Sequence, residues 1–407
     1  MRAVKVLYIS YDSALEPIPQ SQVIPYLKEL SGDGYIFHWL SFDKPRLLRS
    51  GRQKEIMRDD LAKNNIIWHS LNYYHKPYLL AKAFNIVCGV FAAAFYTVKE
   101  DIAIIHCRSE VASVIGYIVS RVFRKKMLYD RRGFMAEDYV EGGMWKGRSS
   151  FLYKAMISID NKLLASSDRV VVLTQKMKDW LVENRPSLNL RDKTQIIPCC
   201  VDISRFKRAE GKEAKSRLGL EGKFVFVYSG SLGTWYLLSE MIDFFSCAGK
   251  IIPNAHFLIL TMSDHGIARK AISRKGLSAG DFTIKTADFS EVPQFLRSAD
   301  CAICFIKPVV SKYASSPTKL AEFLASGLPV VINKGIGDSD RMLDAEKAGL
   351  VIKEFTDEEY RSCAEQLTRL FKENGVLRER CVGAARKYFS LSDGIDKYRR
   401  IYLELSK

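Results

Sequence analysis

Short apolar runs rich in Val, Ile and aromatic residues alternate with stretches of helical periodicity along the whole chain, and this alternation constrains the fold more than any other feature. Candidate strands in the first half are Val4–Ser10, Tyr35–Ser41, Asn65–His69, Ile102–Cys107, Lys126–Asp130 and Arg169–Leu173. In the second half they are Lys223–Ser229, His256–Thr261, Phe282–Lys285, Cys301–Phe305, Pro329–Ile332 and Gly349–Ile352. Their apolarity is continuous rather than alternating, the mark of strands covered on both faces, as in parallel sheets. Strands alternating with helices build right-handed βαβ units, and the pattern runs twice. An α/β fold with two Rossmann-like, doubly wound domains is therefore expected. The length of 407 residues agrees, being too great for one ordinary core.

The break between domains falls after Ile196-Ile197-Pro198. Residues Val201–Leu220 are polar, charged and interrupted by glycine, and a new strand begins at Lys223. The last twenty residues, from Tyr388 to Lys407, have helical character and little sheet left to join. The expected organisation is a first domain over 1–198, a linker over 199–222, a second domain over 223–386, and a terminal helix over 387–407. There is no internal repeat and no low-complexity tract.

Hydrophobic residues make up 47% and charged residues 27%, so a long disordered stretch is not expected. The charge balance is lopsided, with 62 Lys and Arg against 46 Asp and Glu, a net of +16 that favours polyanionic partners. The first ten residues hold one short apolar run with no small-residue cleavage site behind it, so they read as a strand rather than a secretory leader. The nine cysteines are scattered, mostly in apolar surroundings, which fits reduced thiols in a cytoplasm better than a disulfide framework. Cys301 and Cys304 form a C-x-x-C, but residues three apart on a strand face opposite sides, so buried thiols are expected rather than a metal site.

The apolar stretch Ala83–Val98, flanked by Lys82 and Lys99, is about 16 residues long, short of the roughly 20 that a spanning helix needs. It is either a helix packed under the first sheet or one partly exposed to a membrane interface. Residues 40–155 carry 20 Lys and Arg against 11 Asp and Glu, a surplus of nine, which supports attraction to anionic lipid.

The most informative segment is Ser315-Ser316-Pro317-Thr318-Lys319-Leu320-Ala321-Glu322-Phe323-Leu324-Ala325-Ser326-Gly327-Leu328-Pro329-Val330-Val331. Physically it is a loop, a helix with Pro317 in its first turn, a glycine stop and a strand. Ser315, Ser316 and Thr318 bring hydroxyls and backbone N–H groups to a helix N-terminus, and Lys319 adds a positive charge, a combination suited to a phosphate. Glu322, one turn further on, is placed to accept hydrogen bonds from sugar hydroxyls. An ordinary capped helix with a surface glutamate accounts for the same residues.

The segment resembles the donor-binding motif of the family-4 retaining glycosyltransferases of GT-B fold. There the helix N-terminus meets the donor diphosphate and a glutamate, here Glu322, holds the ribose hydroxyls. Three more segments agree in order. Ile196-Ile197-Pro198-Cys199-Cys200-Val201-Asp202-Ile203-Ser204-Arg205-Phe206 resembles the family's interdomain segment, with two cysteines replacing the usual Asn-Gly. Tyr228-Ser229-Gly230-Ser231-Leu232-Gly233 resembles its strand-to-loop turn, which places Gly230 and Ser231 at the donor. The ending from Phe389-Ser390 through Tyr398 and Tyr402 resembles its C-terminal helix, which crosses back onto the first domain. The resemblance implies two domains facing across a cleft, the first holding the acceptor and the second the nucleotide sugar. Two positions depart from the family pattern. The first of its two glutamates is Ala314 here, and the Arg and Lys that follow its glycine turn are replaced by Ser231-Leu232-Gly233-Thr234-Trp235-Tyr236.

In the first domain, Asp12–Glu16 and Pro17–Gln22 are read as the loop after strand one, with a helix from about Val23. Gln20, Ser21 and Gln22 there either bind donor phosphate or acceptor, or cap the helix. Tyr129-Asp130-Arg131-Arg132-Gly133-Phe134-Met135-Ala136-Glu137-Asp138-Tyr139-Val140-Glu141-Gly142-Gly143 follows a strand directly and resembles an Asp-x-Arg-Gly segment of the family branch that makes bacterial surface polysaccharides. Strand C-termini in doubly wound sheets open onto ligand crevices. Arg132 is thus a candidate for binding acceptor phosphate or carboxylate, and Asp130, Glu137 and Asp138 for orienting or deprotonating an acceptor hydroxyl. His106, with Arg108 and Ser109, ends another strand; it is either a packing histidine or a catalytic one.

Three function classes are thereby weighed. A retaining transferase with a saccharide or lipid-linked saccharide acceptor is expected. No metal or other cofactor is expected for it, because Lys319, backbone N–H groups and the helix dipole can meet the charge of the leaving diphosphate. A basic protein that binds nucleic acid or an anionic surface, suggested by the net charge of +16, is disfavoured, since there is no RNP-type pattern, zinc knuckle or basic recognition helix. A Rossmann oxidoreductase is disfavoured because no G-x-G-x-x-G follows the first strand. Other GT-B enzymes, such as nucleotide-sugar epimerases, remain. The place of action expected is the cytoplasm, at the inner face of the plasma membrane.

Overall fold

The computed structural model describes residues 3–45, 51–207, 211–372 and 376–407. Among the described residues there are thirteen strands: β1 Val4–Ile9, β2 Tyr35–Asp43, β3 Ile66–Asn72, β4 Ile104–Arg108, β5 Lys126–Asp130, β6 Arg169–Val172, β7 Thr194–Ile196, β8 Phe224–Ser229, β9 Ala255–Leu260, β10 Phe282–Lys285, β11 Cys301–Cys304, β12 Val330–Asn333 and β13 Gly349–Ile352. They form a seven-stranded sheet in the order β3-β2-β1-β4-β5-β6-β7 and a six-stranded sheet in the order β10-β9-β8-β11-β12-β13. Neighbours pair in parallel throughout, for example Val6 with Phe37 and with Ile104. All twelve expected strands are present. β7 was missed: Thr-Gln-Ile is a three-residue edge strand with Gln195 exposed, too short and too polar to stand out.

The chain divides into two compact units, Met1–Pro198 with Ser392–Lys407, and Cys199–Leu391. In the second unit, both sheet faces are buried. Val225, Val227, Leu258, Leu260, Ala302 and Cys304 enter one apolar cluster, while Phe226, Tyr228, Phe257, Ile259, Cys301 and Ile303 enter the other. This two-sided burial is why the strands read as unbroken apolar runs. It also places Cys301 and Cys304 on opposite faces, as free, buried thiols.

Residues 199–222, read as a linker, belong to the second unit. The short helices Ile203–Lys207 and Gly211–Arg217 form there, and Phe206, Ala214 and Leu220 are buried in its core; residues 208–210 of this segment lie outside the described ones. Scattered apolar residues among charges gave too weak a pattern to show this packing. At the end of the chain, the helix Val376–Phe389 buries Leu377, Cys381 and Phe389 in the second unit. The next helix, Leu391–Leu405, buries Ile395, Tyr398, Ile401 and Tyr402, and from Ser392 onward it is part of the first unit.

The apolar stretch around Phe91 forms a helix of 22 residues, Tyr78–Lys99, longer than the sequence boundaries suggested. Its Leu80–Lys99 portion has a mean hydropathy of 1.5, enough by length and composition to cross a bilayer. It is, however, the crossover between the parallel strands β3 and β4. Gly89 packs so closely on Ile115 and Phe42 that an added Cβ would lie 2.5 Å from Ile115 Cδ1.

Candidate active site

In both sheets the strand order reverses at one point, between β1 and β4 and between β8 and β11. The crevice beyond the strand C-termini at such a point is where open α/β sheets bind ligands. In the second unit, β8 ends at Ser229 and runs into Gly230 and Ser231, while the helix Thr318–Ala325 lies between β11 and β12. Sequence-expected residues from both segments meet here.

Lys319 is 9% exposed, with Nζ 3.2 Å from the Tyr228 hydroxyl and 3.3 Å from the centroid of the Tyr236 ring. The Tyr228 hydroxyl in turn donates to the Ser231 carbonyl at 2.6 Å. Gly230 has φ +146°, and a Cβ there would sit 2.2 Å from Lys319 Nζ, so glycine is required for the ammonium to reach this place. Burial lowers the Lys319 pKa to about 8, with Cys304 and Glu322 opposing. Burial likewise pushes the Glu322 carboxyl up to about 7, with Arg205 and Lys319 pulling the other way. Lys319 and Glu322 are thus both poised close to neutrality, as ionisable groups at ligand sites often are.

Arg205, within the segment Ile196–Phe206, is a further charged residue of this group. Its guanidinium lies over the Phe289 ring at 3.5 Å, it donates to the Phe289 carbonyl, and it acts electrostatically on Glu322. The aromatic residues that replace the family's Arg and Lys also have a role: Tyr236 shelters Lys319, and Trp235 lies 3.6 Å beneath Lys312 Nζ. Among the anchoring hydroxyls, Ser316 Oγ accepts from the Cys199 amide at 3.1 Å, and Ser315 N–H donates to the Lys312 carbonyl at 3.1 Å. Thr318 opens the helix, whose first N–H groups have no intrahelical acceptor. Ala314 is buried and brings no polar group.

In the first unit, Asp130 ends β5 at 1% exposure. Its Oδ2 accepts from the Tyr398 hydroxyl at 3.1 Å and lies 3.6 Å from Arg108 Nη1, while Oδ1 lies 3.5 Å from Arg132 Nη1. Burial alone would raise its pKa; Arg132, His106 and Arg108 overcome this and hold the carboxyl well below the usual range. Asp130 is therefore a fixed anion that positions arginines, too weak a base for an acceptor hydroxyl. His106 is packed behind the last helix, with Nδ1 2.6 Å from the Tyr402 hydroxyl and its ring edge-on to Tyr8. Burial lowers its pKa, so it is held neutral. This is the packing reading of His106.

The remaining candidates are distributed. Glu137 is buried, donated to by the Tyr153 hydroxyl and by Arg148 Nε at 2.9 Å. Asp138 stands in the first turn of the helix Met135–Glu141. Arg131, beside the candidate Arg132, is buried in a bidentate pair with Asp160 (2.9 and 3.2 Å) that Arg185 and Tyr129 also join. Glu110, unnoticed in the sequence, is buried, lines a small cavity together with Arg131 and Asp160, and is pushed up to about 7 by burial. Gln20 and Ser21 lie not in a loop but in a short helix, Pro17–Gln22, because Pro17 presets its first turn. Ser21 Oγ is turned onto the Pro17 carbonyl at 3.1 Å, and Gln20 Nε2 donates to the Leu15 carbonyl at 3.3 Å. The true loop after β1 is shorter, and Lys44 pairs with Glu16 there at 2.8 Å.

Residues 27–205 match the model of Glycosyltransferase Family 4. Among solved structures, a glycosyltransferase from Rickettsia africae is 16% identical, with each chain covering 100% of the other and a TM-score of 0.73. The fold is GT-B. HepE from Anabaena, solved in complex with UDP, is 13% identical over 98% of this chain and 100% of its own, with a TM-score of 0.71. Sucrose-phosphate synthase from Thermosynechococcus elongatus is 15% identical over 99% of each chain, also at 0.71. A search of curated proteins finds no sequence match.

Proposed function

We propose that this GT-B chain is a glycosyltransferase that moves a sugar from a nucleoside-diphosphate sugar to a saccharide or lipid-linked saccharide acceptor, in the synthesis of a bacterial surface glycan on the cytoplasmic side of the membrane. The observation that carries the reading is the meeting of Lys319 and Glu322 at the switch point of the second sheet, on a helix whose N-terminus follows Ser315 and Ser316. The second unit is assigned the donor and the first unit the acceptor. Glu322 takes the ribose hydroxyls. Lys319 and the first N–H groups of its helix take the diphosphate.

As the bond from the sugar to phosphate breaks, negative charge grows on the diphosphate. A preorganised ammonium and helix N-terminus in a dry site stabilise that charge without reorganising. No metal is required in this scheme, and the configuration at the anomeric carbon is retained. The Arg108–Asp130–Arg132 group of the first unit, largely buried and with one net positive charge, is assigned to an anionic acceptor. Anabaena HepE was solved with UDP and with UDP-glucose, which supports a nucleotide-sugar donor for this fold.

Calorimetric titration with UDP, GDP, dTDP, ADP and CMP tests the reading. One nucleoside diphosphate should bind, and Glu322→Gln should weaken it by at least about tenfold, since a hydrogen bond to a charged group contributes about 1.5–3 kcal/mol. Unchanged affinity in Glu322→Gln would remove the ribose assignment.

A further inference from the structure

The helix Tyr78–Lys99 buries one side and leaves a continuous apolar ridge on the other. Leu80, Phe84, Val87, Phe91, Phe95 and Val98 are all at least half exposed, with Phe91 at 73%. At 100° per residue these six positions fall within one narrow stripe, and with a rise of 1.5 Å per residue the stripe is about 27 Å long. No charged residue interrupts it. The opposite side, with Ala81, Asn85, Ala93 and Thr97, is buried. The ridge does not stand alone. The helices Glu110–Phe123 and Phe151–Ser166 pack next in line, and they expose Val122 (67%) and Phe151 (82%). A soluble unit rarely shows so long an apolar surface without a partner for it.

The charge around the ridge names the partner. Among the described residues of Tyr78–Ser166, eight Lys and Arg are exposed, among them Lys99, Arg121, Arg124, Lys154 and Lys162, against one exposed carboxylate, Asp101. Lys125 lies 3.8 Å from Asp101, which ties the cationic ends of the first two helices together. At the other end of the ridge, Lys82 Nζ is 3.2 Å from the Tyr139 hydroxyl, on the helix that follows the Arg132 segment. Aromatic and aliphatic side chains on a ridge edged by cations match the headgroup boundary of an anionic bilayer, where neither the apolar nor the ionic attraction alone would suffice.

We infer that the outer face of the helix Tyr78–Lys99 docks in the plane of an anionic lipid bilayer, with Phe84, Phe91 and Phe95 inserted below the headgroups and Lys99, Arg121 and Arg124 on the lipid phosphates. The helix lies along the surface and does not cross it, because both its ends connect to strands of one sheet. This docking stands on the first unit alone and is independent of the donor assigned to the second. A bilayer bound in this way has the end of the ridge at Tyr139, next to the segment assigned to the acceptor, so a lipid-linked acceptor would be presented there.

The test is co-sedimentation of the full chain with vesicles of phosphatidylcholine alone and of equimolar phosphatidylcholine and phosphatidylglycerol, at low and high salt. Binding is expected only with phosphatidylglycerol and should fade as salt screens the cations. Phe91→Glu with Phe95→Glu, both exposed and outside the core, should lose binding about tenfold or more, as should Arg121→Glu with Arg124→Glu. Nucleotide affinity, measured on the same variants, should not change, and this separates a failed docking surface from a failed donor site. Equal binding to both vesicle types, no binding to either, or full binding by the Phe91/Phe95 variant would each overturn the inference. So would a dimeric wild-type chain that the Phe91/Phe95 variant turns into monomer, because a second copy would then cover the ridge.

Discussion

Raising the pH from about 7 to about 9 should weaken nucleoside-diphosphate binding, and the share carried by Lys319 is about tenfold. Burial lowers the pKa of this lysine to about 8 in the empty site. It is then roughly nine-tenths protonated at pH 7 and one-tenth at pH 9. A diphosphate beside Nζ favours the ammonium and raises its pKa in the complex, so above pH 8 binding must be accompanied by uptake of one proton, and the loss approaches 1.4 kcal/mol, or about tenfold, per pH unit. The sign for the empty protein is opposite. Between about 8 and the ordinary 10.5, the folded state binds fewer protons than the unfolded chain, so Lys319 makes the second unit more stable as pH rises through that window. Calorimetry in two buffers of different ionisation enthalpy reads the proton uptake directly. Lys319→Met should bind more weakly at pH 7 and lose the tenfold share of the slope that Lys319 carries, and what remains in it measures titration of the nucleotide and of Glu322. Gly230→Ala, whose methyl would lie 2.2 Å from Nζ, should displace the ammonium and mimic the Met variant. An undiminished slope in Lys319→Met would refute the reasoning, because some other group would then carry the pH dependence.

Transfer should persist in excess EDTA, measured as acceptor-dependent release of nucleoside diphosphate; complete loss that Mg²⁺ or Mn²⁺ restores would show that a cation supplies the charge assigned here to Lys319. Tyr398→Phe keeps the ring but removes the hydroxyl 3.1 Å from the buried Asp130, and should destabilise the first unit by about 1.5–3 kcal/mol in urea unfolding near neutral pH. The Asp130 carboxyl is depressed, so the stability it contributes is present above about pH 4 and lost on acidification; the Phe variant should lose less there than wild type.

The sheet architecture was legible because the inner strands are buried on both faces, which leaves unbroken apolar runs such as Val225–Tyr228 and Cys301–Cys304, while the edge strands β3 and β10, only partly buried, still carry the short runs Ile66–Trp68 and Phe282–Ile284. β7 escaped because three residues at an edge leave no such run. The candidate group of the second unit was legible at Ser315–Glu322 because a helix N-terminus, hydroxyls and a lysine lie within eight residues of one another. Arg205 and Tyr236 were not, since they reach Glu322 and Lys319 through tertiary packing from segments far away in sequence. The first unit shows the converse. Asp130, Arg132 and His106 do gather at strand ends, but sequence order cannot show that the last helix brings Tyr398 and Tyr402 onto them. Nor does adjacency distinguish Arg131, locked to Asp160, from Arg132. Gln20 and Ser21 were read as loop because prolines punctuate that stretch; Pro17 instead begins a helix.

The most direct test of the central claim is release of nucleoside diphosphate from a panel of nucleotide sugars, assayed with and without a bacterial glycolipid extract as acceptor. One nucleotide sugar should release its diphosphate in an acceptor-dependent way, and Glu322→Gln and Lys319→Met should each suppress that release while the protein stays folded. Release by neither variant nor wild type, together with no binding of any nucleoside diphosphate, would contradict the assignment of the second unit to a nucleotide-sugar donor.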